Sequence, residues 1–283
     1  MSISLAPKSL THQHLLASVN TELSSTAGRD SLRVLDVGCG EGDLVAFLQA
    51  GLTDLNPGVA VEVHGFDVID TLSNRPDFPK STVDRLESLL PGEPWADRIQ
   101  SVSQHEAWPY PDGSFDIVVS NQVLEHVVRL RPFLAQLSRV LVPGGRSMHV
   151  FPLRNALCDG HVLMPLIHRV RGHEQRAAMA RMWRWLKVGN NRTGDIRETA
   201  ERISTYLHLG TTYRYFEEFS EESKRADLKL SYRYTQELYQ QKIASVLGRR
   251  GLESYCRSRR AVIDWIAFCV LRHVSSITLV FEK

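Results

Sequence analysis

The sequence is poor in the features that mark secreted, membrane-spanning or metal-stapled proteins. Its 283 residues hold four cysteines, Cys39, Cys158, Cys256 and Cys269, and no two of them form a C-x-x-C pair. Neither a zinc pattern nor a disulfide framework can be built from that scatter, so a reducing cytoplasm is the expected compartment. The N-terminal stretch lacks a basic segment followed by a long apolar core, and no signal peptide is expected. One long apolar stretch exists, Ala261–Phe281, but Asp264, Arg272 and His273 interrupt it. A membrane span there is disfavoured, whereas contact with a membrane surface or a lipid-like substrate stays open. Excess charge is missing as well: the formal net charge is +2, with 43% hydrophobic and 23% charged residues. Those proportions belong to an ordinary globular protein with one large domain or two small ones.

The near-neutral total conceals an asymmetry. Residues 1–149 carry about 11 lysines and arginines against about 18 acids, and residues 150–275 about 22 against about 13. A basic half can steer an anionic substrate, a nucleic acid or an anionic membrane. A solvated arginine-rich helical surface explains it equally well.

What the chain does have is concentrated in Val34–Asp43, VLDVGCGEGD. A short apolar run ends in an acid, three glycines alternate with other residues, and Leu44–Leu48 follows at helical spacing. This reads as a strand, a tight turn and a helix start, with backbone bared to a ligand. A dinucleotide pyrophosphate wants G-x-G-x-x-G at such a turn. The spacing here is G-x-G-x-G, and Asp36, Glu41 and Asp43 would repel a pyrophosphate. They suit a positively charged ligand such as S-adenosylmethionine, which has an ammonium and a sulfonium. The competing reading is a turn whose glycines only permit close packing.

Residues 1–30 read as an N-terminal extension with one short helix over His12–Val19 and a loop at Ser24–Gly28. Strand one is Leu32–Val37, its helix runs from Gly42 to Ala50, and Val59–Asp67 is a second strand, again ending in an acid. A carboxylate at that tip can accept hydrogen bonds from both vicinal hydroxyls of a ribose, the competing reading being a cap on the next turn. A helix is expected over Ser81–Leu90, a third strand over Arg98–Val102 and a loop over Trp108–Ser114. Phe115–Ser120 reads as a buried strand that passes through Asn121 into a helix at Gln122–Val128. The next helix carries Phe133, Leu134, Leu137, Val140 and Leu141 on one face, and Val142–Gly145 separates it from strand five at Arg146–Phe151. Strand–helix alternation predicts a parallel sheet covered on both faces, with its ligand beyond the strand carboxyl ends. Asp36–Gly40, Asp67, Gln104–Glu106 and Ser120–Gln122 all fall at such ends.

These motifs resemble those of the class I S-adenosylmethionine-dependent methyltransferases, in the small-molecule branch. VLDVGCGEGDL, GFDV, WPYPDGSFDIVVSNQVLEHV and RVLVPGG stand in the family's order across residues 32–151. The resemblance implies a doubly wound, seven-stranded, mostly parallel α/β sheet of the Rossmann-like methyltransferase type. It implies that Asp36, Gly38, Cys39 and Gly40 surround the methionine part of the cofactor, that Asp67 holds the ribose and that Val68 packs on the adenine. Gln104, His105 and Glu106 would lie by the adenine, Gln104 standing where the family often has an acid. Asn121 and Gln122 would stand where cofactor and acceptor meet. The family's closing antiparallel pair is expected at Leu228–Tyr234, which alternates apolar and polar residues, and at Ile277–Lys283.

Residues 31–283 are thus expected to form the methyltransferase domain, with 152–226 as a helical insert after strand five and 227–283 completing the sheet. In the insert, Met179, Met182, Trp183 and Leu186 share a predicted helix face, and Arg176, Arg181, Arg184 and Lys187 supply charge. Asp195 with Glu198 predicts a helix cap, and Tyr206, Tyr213, Tyr215, Phe216 and Phe219 cluster. Such an insert would close over the methyl group as a lid, or the aromatics would be its own core. Methyl transfer from a sulfonium needs alignment and a dry site, and a base for some acceptors. The base is unassigned, with His126, His161 and His168 as candidates; no third ligand beside these histidines is evident, so no metal centre is expected. The expected acceptor is a small, lipid-linked or glycan-linked molecule, with an anionic one favoured by the basic insert. DNA is not expected as a partner; RNA methylation by the basic insert and a non-catalytic scaffold are the alternative readings.

Overall fold

The computed structural model describes residues 5–23, 30–69, 76–190, 193–249, 251–255 and 261–283. The loop expected at Ser24–Gly28 and the Asn191–Arg192 part of the insert lie outside them. Seven strands form one sheet: β1 (Ser31–Val37), β2 (Ala60–Val68), β3 (Ile99–Val102), β4 (Phe115–Asn121), β5 (Leu141–Pro152), β6 (Lys229–Ser231) and β7 (Ser276–Glu282). Their order is β3-β2-β1-β4-β5-β7-β6. β1 to β5 pair in parallel, and β7 runs antiparallel to both β5 and β6. The predicted sheet class is the one that forms. β6 is shorter than predicted because Tyr232 stacks on Phe268 at 4.5 Å and Tyr234, at φ 74°, turns the chain into a helix.

The flanking helices are α1 (Leu10–Leu23), α2 (Asp43–Leu55), α3 (Lys80–Leu89), α4 (Trp95–Arg98), α5 (Leu130–Val140), α6 (His173–Trp185), α7 (Ile196–Leu209), α8 (Phe216–Arg225), α9 (Thr235–Val246) and α10 (Ala261–Leu271). Side chains alternate across a strand, so Val34, Val63, Ile117 and Val119 enter one core while Leu35, Phe66 and Val118 enter the other. The first core is closed by Leu15 and Leu16 of α1, Phe47 and Leu48 of α2 and Leu238 of α9. The second is closed by Phe133 and Leu137 of α5, Phe219 of α8 and Phe268 of α10.

The segment expected as an extension is therefore an integral layer. Glu22 of α1 is held by Arg146 at 2.7 Å, Arg233 at 3.0 Å and the Tyr234 hydroxyl at 2.6 Å, tying the helix to the far edge of the sheet. The expected insert also divides differently. α6 and α7 share a third core of Val162, Met164, Ile167, Ala180, Ala200, Ile203, Leu207 and Tyr213, whereas α8 packs on the sheet. The aromatic cluster splits with it: Tyr206 and Tyr213 stay in the insert, Phe216 and Phe219 join the sheet core, and Tyr215 is exposed. On α6 the buried face is Arg176, Ala177, Ala180 and Arg184, while Met182 and Leu186 are exposed. The two arginines turn inward because they donate to main-chain carbonyls, Arg176 to Val170 and Ser204, Arg184 to Thr193 and Gly194. The cap by Asp195 forms as predicted, its carboxylate accepting from Glu198 N–H at 2.8 Å. Among the described residues no helix is long and apolar enough to cross a membrane.

Candidate functional site

β1 and β4 are neighbours at the point where the strand order reverses, so the turns that follow them open into one crevice. In the β1 turn, Gly38 and Cys39 donate to the Phe66 carbonyl at 2.9 and 3.0 Å. Gly40 N–H donates to an Asp67 carboxylate oxygen at 3.0 Å, and Val68 N–H to the other at 2.7 Å. Thr82 adds a bond from its hydroxyl to the Gly40 carbonyl at 2.8 Å. Gly38 has φ 74°, and a Cβ there would stand 2.6 Å from Val123 Cγ2. That position demands glycine on both counts.

A cavity of about 460 Å³ adjoins this turn, lined by Asp36, Gly38, Cys39, Asp43, Leu44, Asn121 and Gln122, and by Lys8, Ser9, Thr11 and His12 from the N-terminal segment. Its size falls within the range of small-molecule sites. Asp36 is 2% exposed, and its Oδ1 lacks a hydrogen-bond partner among the described residues. Burial, then the charge of Asp67, lifts the Asp36 carboxyl well above its ordinary range. Asn121 Oδ1 and Gln122 Oε1 are likewise buried without partners. Three acceptors without donors beside a bared glycine turn fit a ligand that brings positive charge and N–H groups. That is the chemistry of the amino-acid end of S-adenosylmethionine. Such a cation would also favour the ionised form of Asp36.

Two of the acids expected to attract that cation are already paired with cations of the chain. Asp43 pairs with Lys8 and Arg85, each at 2.5 Å, and Glu41 lies 3.5 Å from Lys8. Asp36 lines the cavity without such a partner, and Asp67 braces the turn beside it. Gln104, His105 and Glu106 follow β3 in an exposed loop outside the cavity lining, with Glu106 accepting from Ser103 N–H at 3.1 Å. Val68 is half-buried against the second core. The N-terminal lining residues were missed by the sequence reading. They reach the site only because α1 packs on α2, and no local pattern announces that.

The helix expected over Gln122–Val128 is a run of turns. Gln122 takes φ 58°, a left-handed conformation that cannot propagate a right-handed helix. Contacts to the insert take the place of helical hydrogen bonds. Thr212 N–H donates to the Glu125 carbonyl at 2.5 Å, and Arg214 donates to the carbonyls of Val127 at 2.6 Å and Val128 at 2.7 Å. The His126 ring donates from Nδ1 to Gly210 O at 2.5 Å. His161 Nε2 lies 3.2 Å from Glu125 Oε1, and the His126 and His161 rings are 4.9 Å apart with Tyr206 beside both. Burial lowers the pKa of His161, but the hydrogen bond and charge of Glu125, with the charge of Asp159, outweigh it and raise the imidazole above its ordinary value. His168 is not part of this group. It is buried against Tyr213 at 4.8 Å, and Pro165 with the 3-10 turn Ile167–Arg169 excludes the continuous helix that would have aligned it with His161.

A parallel sheet of this order, with a glycine turn and two carboxylates at its switch point, defines the class I methyltransferase fold. Residues 11–219 match the family described as a methyltransferase domain, and the chain belongs to that family, the S-adenosylmethionine-dependent group its motifs resemble. It is similar to the ubiquinone/menaquinone biosynthesis C-methyltransferase UbiE of Geobacter sulfurreducens, 35% identical over 117 residues, 41% of this chain and 40% of that protein. The namesake from Methylobacterium nodulans is 38% identical over 141 residues, 49% of this chain and 46% of that one. These matches therefore span less than half the length of either relative. In structure it is similar to an S-adenosylmethionine-dependent methyltransferase from Mesorhizobium loti, with TM-score 0.50, 12% identity and coverage of 93% of this chain and 96% of that one.

Proposed function

We propose that the protein transfers a methyl group from S-adenosylmethionine to a small-molecule acceptor. The observation that carries this reading is the cavity bounded by the Gly38–Gly40 turn, with the unpartnered Asp36 and Asn121 oxygens facing a ligand and Asp67 bracing the turn. The Asp36 carboxylate and the Asn121 amide oxygen would take the ammonium end, and Asp67 the ribose hydroxyls. When bound, the donor supplies a methyl carbon on a positively charged sulfur. The acceptor's lone pair forms the new bond to that carbon as the carbon–sulfur bond breaks, and the electron pair returns to sulfur as a neutral thioether. The chain's own residues align the two reactants and exclude water, which is most of what such a displacement requires. Calorimetric titration with S-adenosylmethionine tests the reading: one site per chain that is lost in Asp36→Ala supports it, and no binding by the wild type overturns it.

The insert side favours a small acceptor over RNA. Several of its arginines are engaged within the chain: Arg176, Arg184 and Arg214 are buried on carbonyls, Arg169 is held by Ala156 and Asn155, and Arg181 pairs with Glu201 at 3.1 Å. A phosphate-binding surface needs such groups outward, and binding to RNA would fall steeply with salt. The exposed apolar side chains of α10, among them Val262, Trp265 and Ile266, support an acceptor that is lipid-like or presented at a membrane surface. The relatives named as C-methyltransferases of ubiquinone/menaquinone biosynthesis are compatible with that chemistry, and a vesicle co-sedimentation assay tests it: retention lost in Trp265→Ser supports surface contact.

A further inference from the structure

One cluster at the β4 end is not used by methyl-donor binding. Glu125, His126 and His161 each offer a donor atom, and these atoms lie within 4.8 Å of one another. Glu125 is 1% exposed, and its Oε2 has no hydrogen-bond partner among the described residues. Its Oε1 lies 3.2 Å from His161 Nε2. An ionised carboxylate removed from water is held in proteins by a paired charge or a coordinated metal. His126 donates from Nδ1 to the Gly210 carbonyl, which places the ring's lone pair on Nε2. That is the arrangement by which metal-binding histidines are oriented, one nitrogen on a backbone carbonyl and the other on the ion.

The cluster is built rather than incidental. Thr212 and Arg214 fix the main chain on both sides of His126, and Asp159 fixes His161 by accepting from its N–H at 2.8 Å. Two imidazoles and one carboxylate, with no thiolate, suit divalent first-row transition ions at bonds of about 2.0–2.2 Å. Three protein donors leave coordination positions open to an oxygen from outside. His161, with 19% of its side chain exposed, gives access. The cluster also adjoins the donor cavity: a Cβ at Gly160 would stand 2.7 Å from Gln122 Oε1, and Gln122 lines that cavity.

We propose that Glu125, His126 and His161 form a binding site for a divalent first-row transition metal ion, and that this ion holds an oxygen-bearing acceptor next to the methyl donor. The second clause rests on the methyltransferase reading, while the first stands without it. The test uses the full chain freed of metal by a chelator and titrated with Co²⁺ or Zn²⁺ alone, read by calorimetric stoichiometry and by the visible absorption of Co²⁺. One ion per chain is expected, with affinity reduced by at least about 100-fold in His161→Ala and in His126→Ala. Should His126→Ala lose its fold, the isosteric Glu125→Gln carries the same expectation, with melting and near-ultraviolet circular dichroism confirming a native state. His173→Ala, which removes a histidine near His208 and Glu201, should leave binding unchanged. Absence of stoichiometric binding, binding that survives His161→Ala, or binding that disappears in His173→Ala overturns the site. Titration with S-adenosylmethionine on the same samples separates the two readings: intact donor binding with no metal binding refutes this inference alone.

Discussion

The two walls of the cleft are held by different kinds of contact. On the glycine-turn wall, Gly38, Cys39 and Gly40 donate main-chain N–H groups to the end of β2, and the Gly40–Asp67 bond joins residues 27 apart. On the insert wall, side chains reach main-chain carbonyls 84 to 87 residues away: His126 to Gly210, and Arg214 to Val127 and Val128. The first wall is a product of the β-α-β crossover and forms wherever the sheet does. The second depends on a separate small core folding against the sheet. Under the proposed reading, a donor site tied to the sheet and an acceptor site tied to the insert would change independently.

The most severe way to break that contrast is Gly38→Val. The new Cβ meets Val123 at 2.6 Å in a left-handed backbone, so donor affinity should fall by more than about 100-fold, near 3 kcal/mol. Calorimetry reads this directly, and near-normal binding would show that the turn tolerates what its geometry forbids. Asp67→Ala should cost roughly 10- to 100-fold in donor affinity, since hydrogen bonds to a carboxylate are worth about 1.5–3 kcal/mol each. Unchanged affinity there would remove the ribose assignment.

Acid should attack the sheet side next. His14 bonds the Tyr255 hydroxyl at 2.7 Å and the Thr278 hydroxyl at 2.8 Å; burial, and then the Lys242 charge, lower its pKa to about 3. Burial alone brings His149 to about 3 as well. These folded-state values lie below the unfolded value of about 6.5, so the unfolded chain takes up the protons first. The stabilisation is complete above pH 6.5 and is lost by about 1.4 kcal/mol per pH unit for each histidine as pH falls toward 3. Urea unfolding at pH 7 and pH 5 measures it, and equal stability at both would exclude neutral burial. The smallest effect belongs to the insert. Tyr213→Phe removes the 2.5 Å bond to Asp159, which still accepts from His161 and Val162 N–H. A loss of about 1 kcal/mol is expected, seen as faster hydrogen exchange in α6 and α7 with donor affinity unchanged. Parallel loss of donor affinity would join the two walls into one unit.

How far each wall was legible follows from the same contrast. VLDVGCGEGD and GFDV carry their roles in adjacent residues, because a strand that ends in an acid and turns on glycine declares itself locally. Asp36 lines the cavity and Asp67 holds the turn through local bonds, whereas the charge of Glu41 and of Asp43 is met by Lys8 and Arg85, which arrive from distant segments. Gln122–Val128 misled for a related reason. Its residues favour a helix, but one left-handed residue and four hydrogen bonds to the insert outweigh that preference.

By itself, the sequence determined the sheet class, the glycine turn and the methyl-donor side, since periodicity and turn chemistry act within a few residues. Only the tertiary structure decided that α1 belongs to the core, that α8 serves the sheet, and that Glu125 meets His161 at 3.2 Å. Those outcomes depend on which buried polar groups find partners across long chain separations. Glu125, taken out of water beyond the strand end, is met by a histidine that lies 36 residues further along.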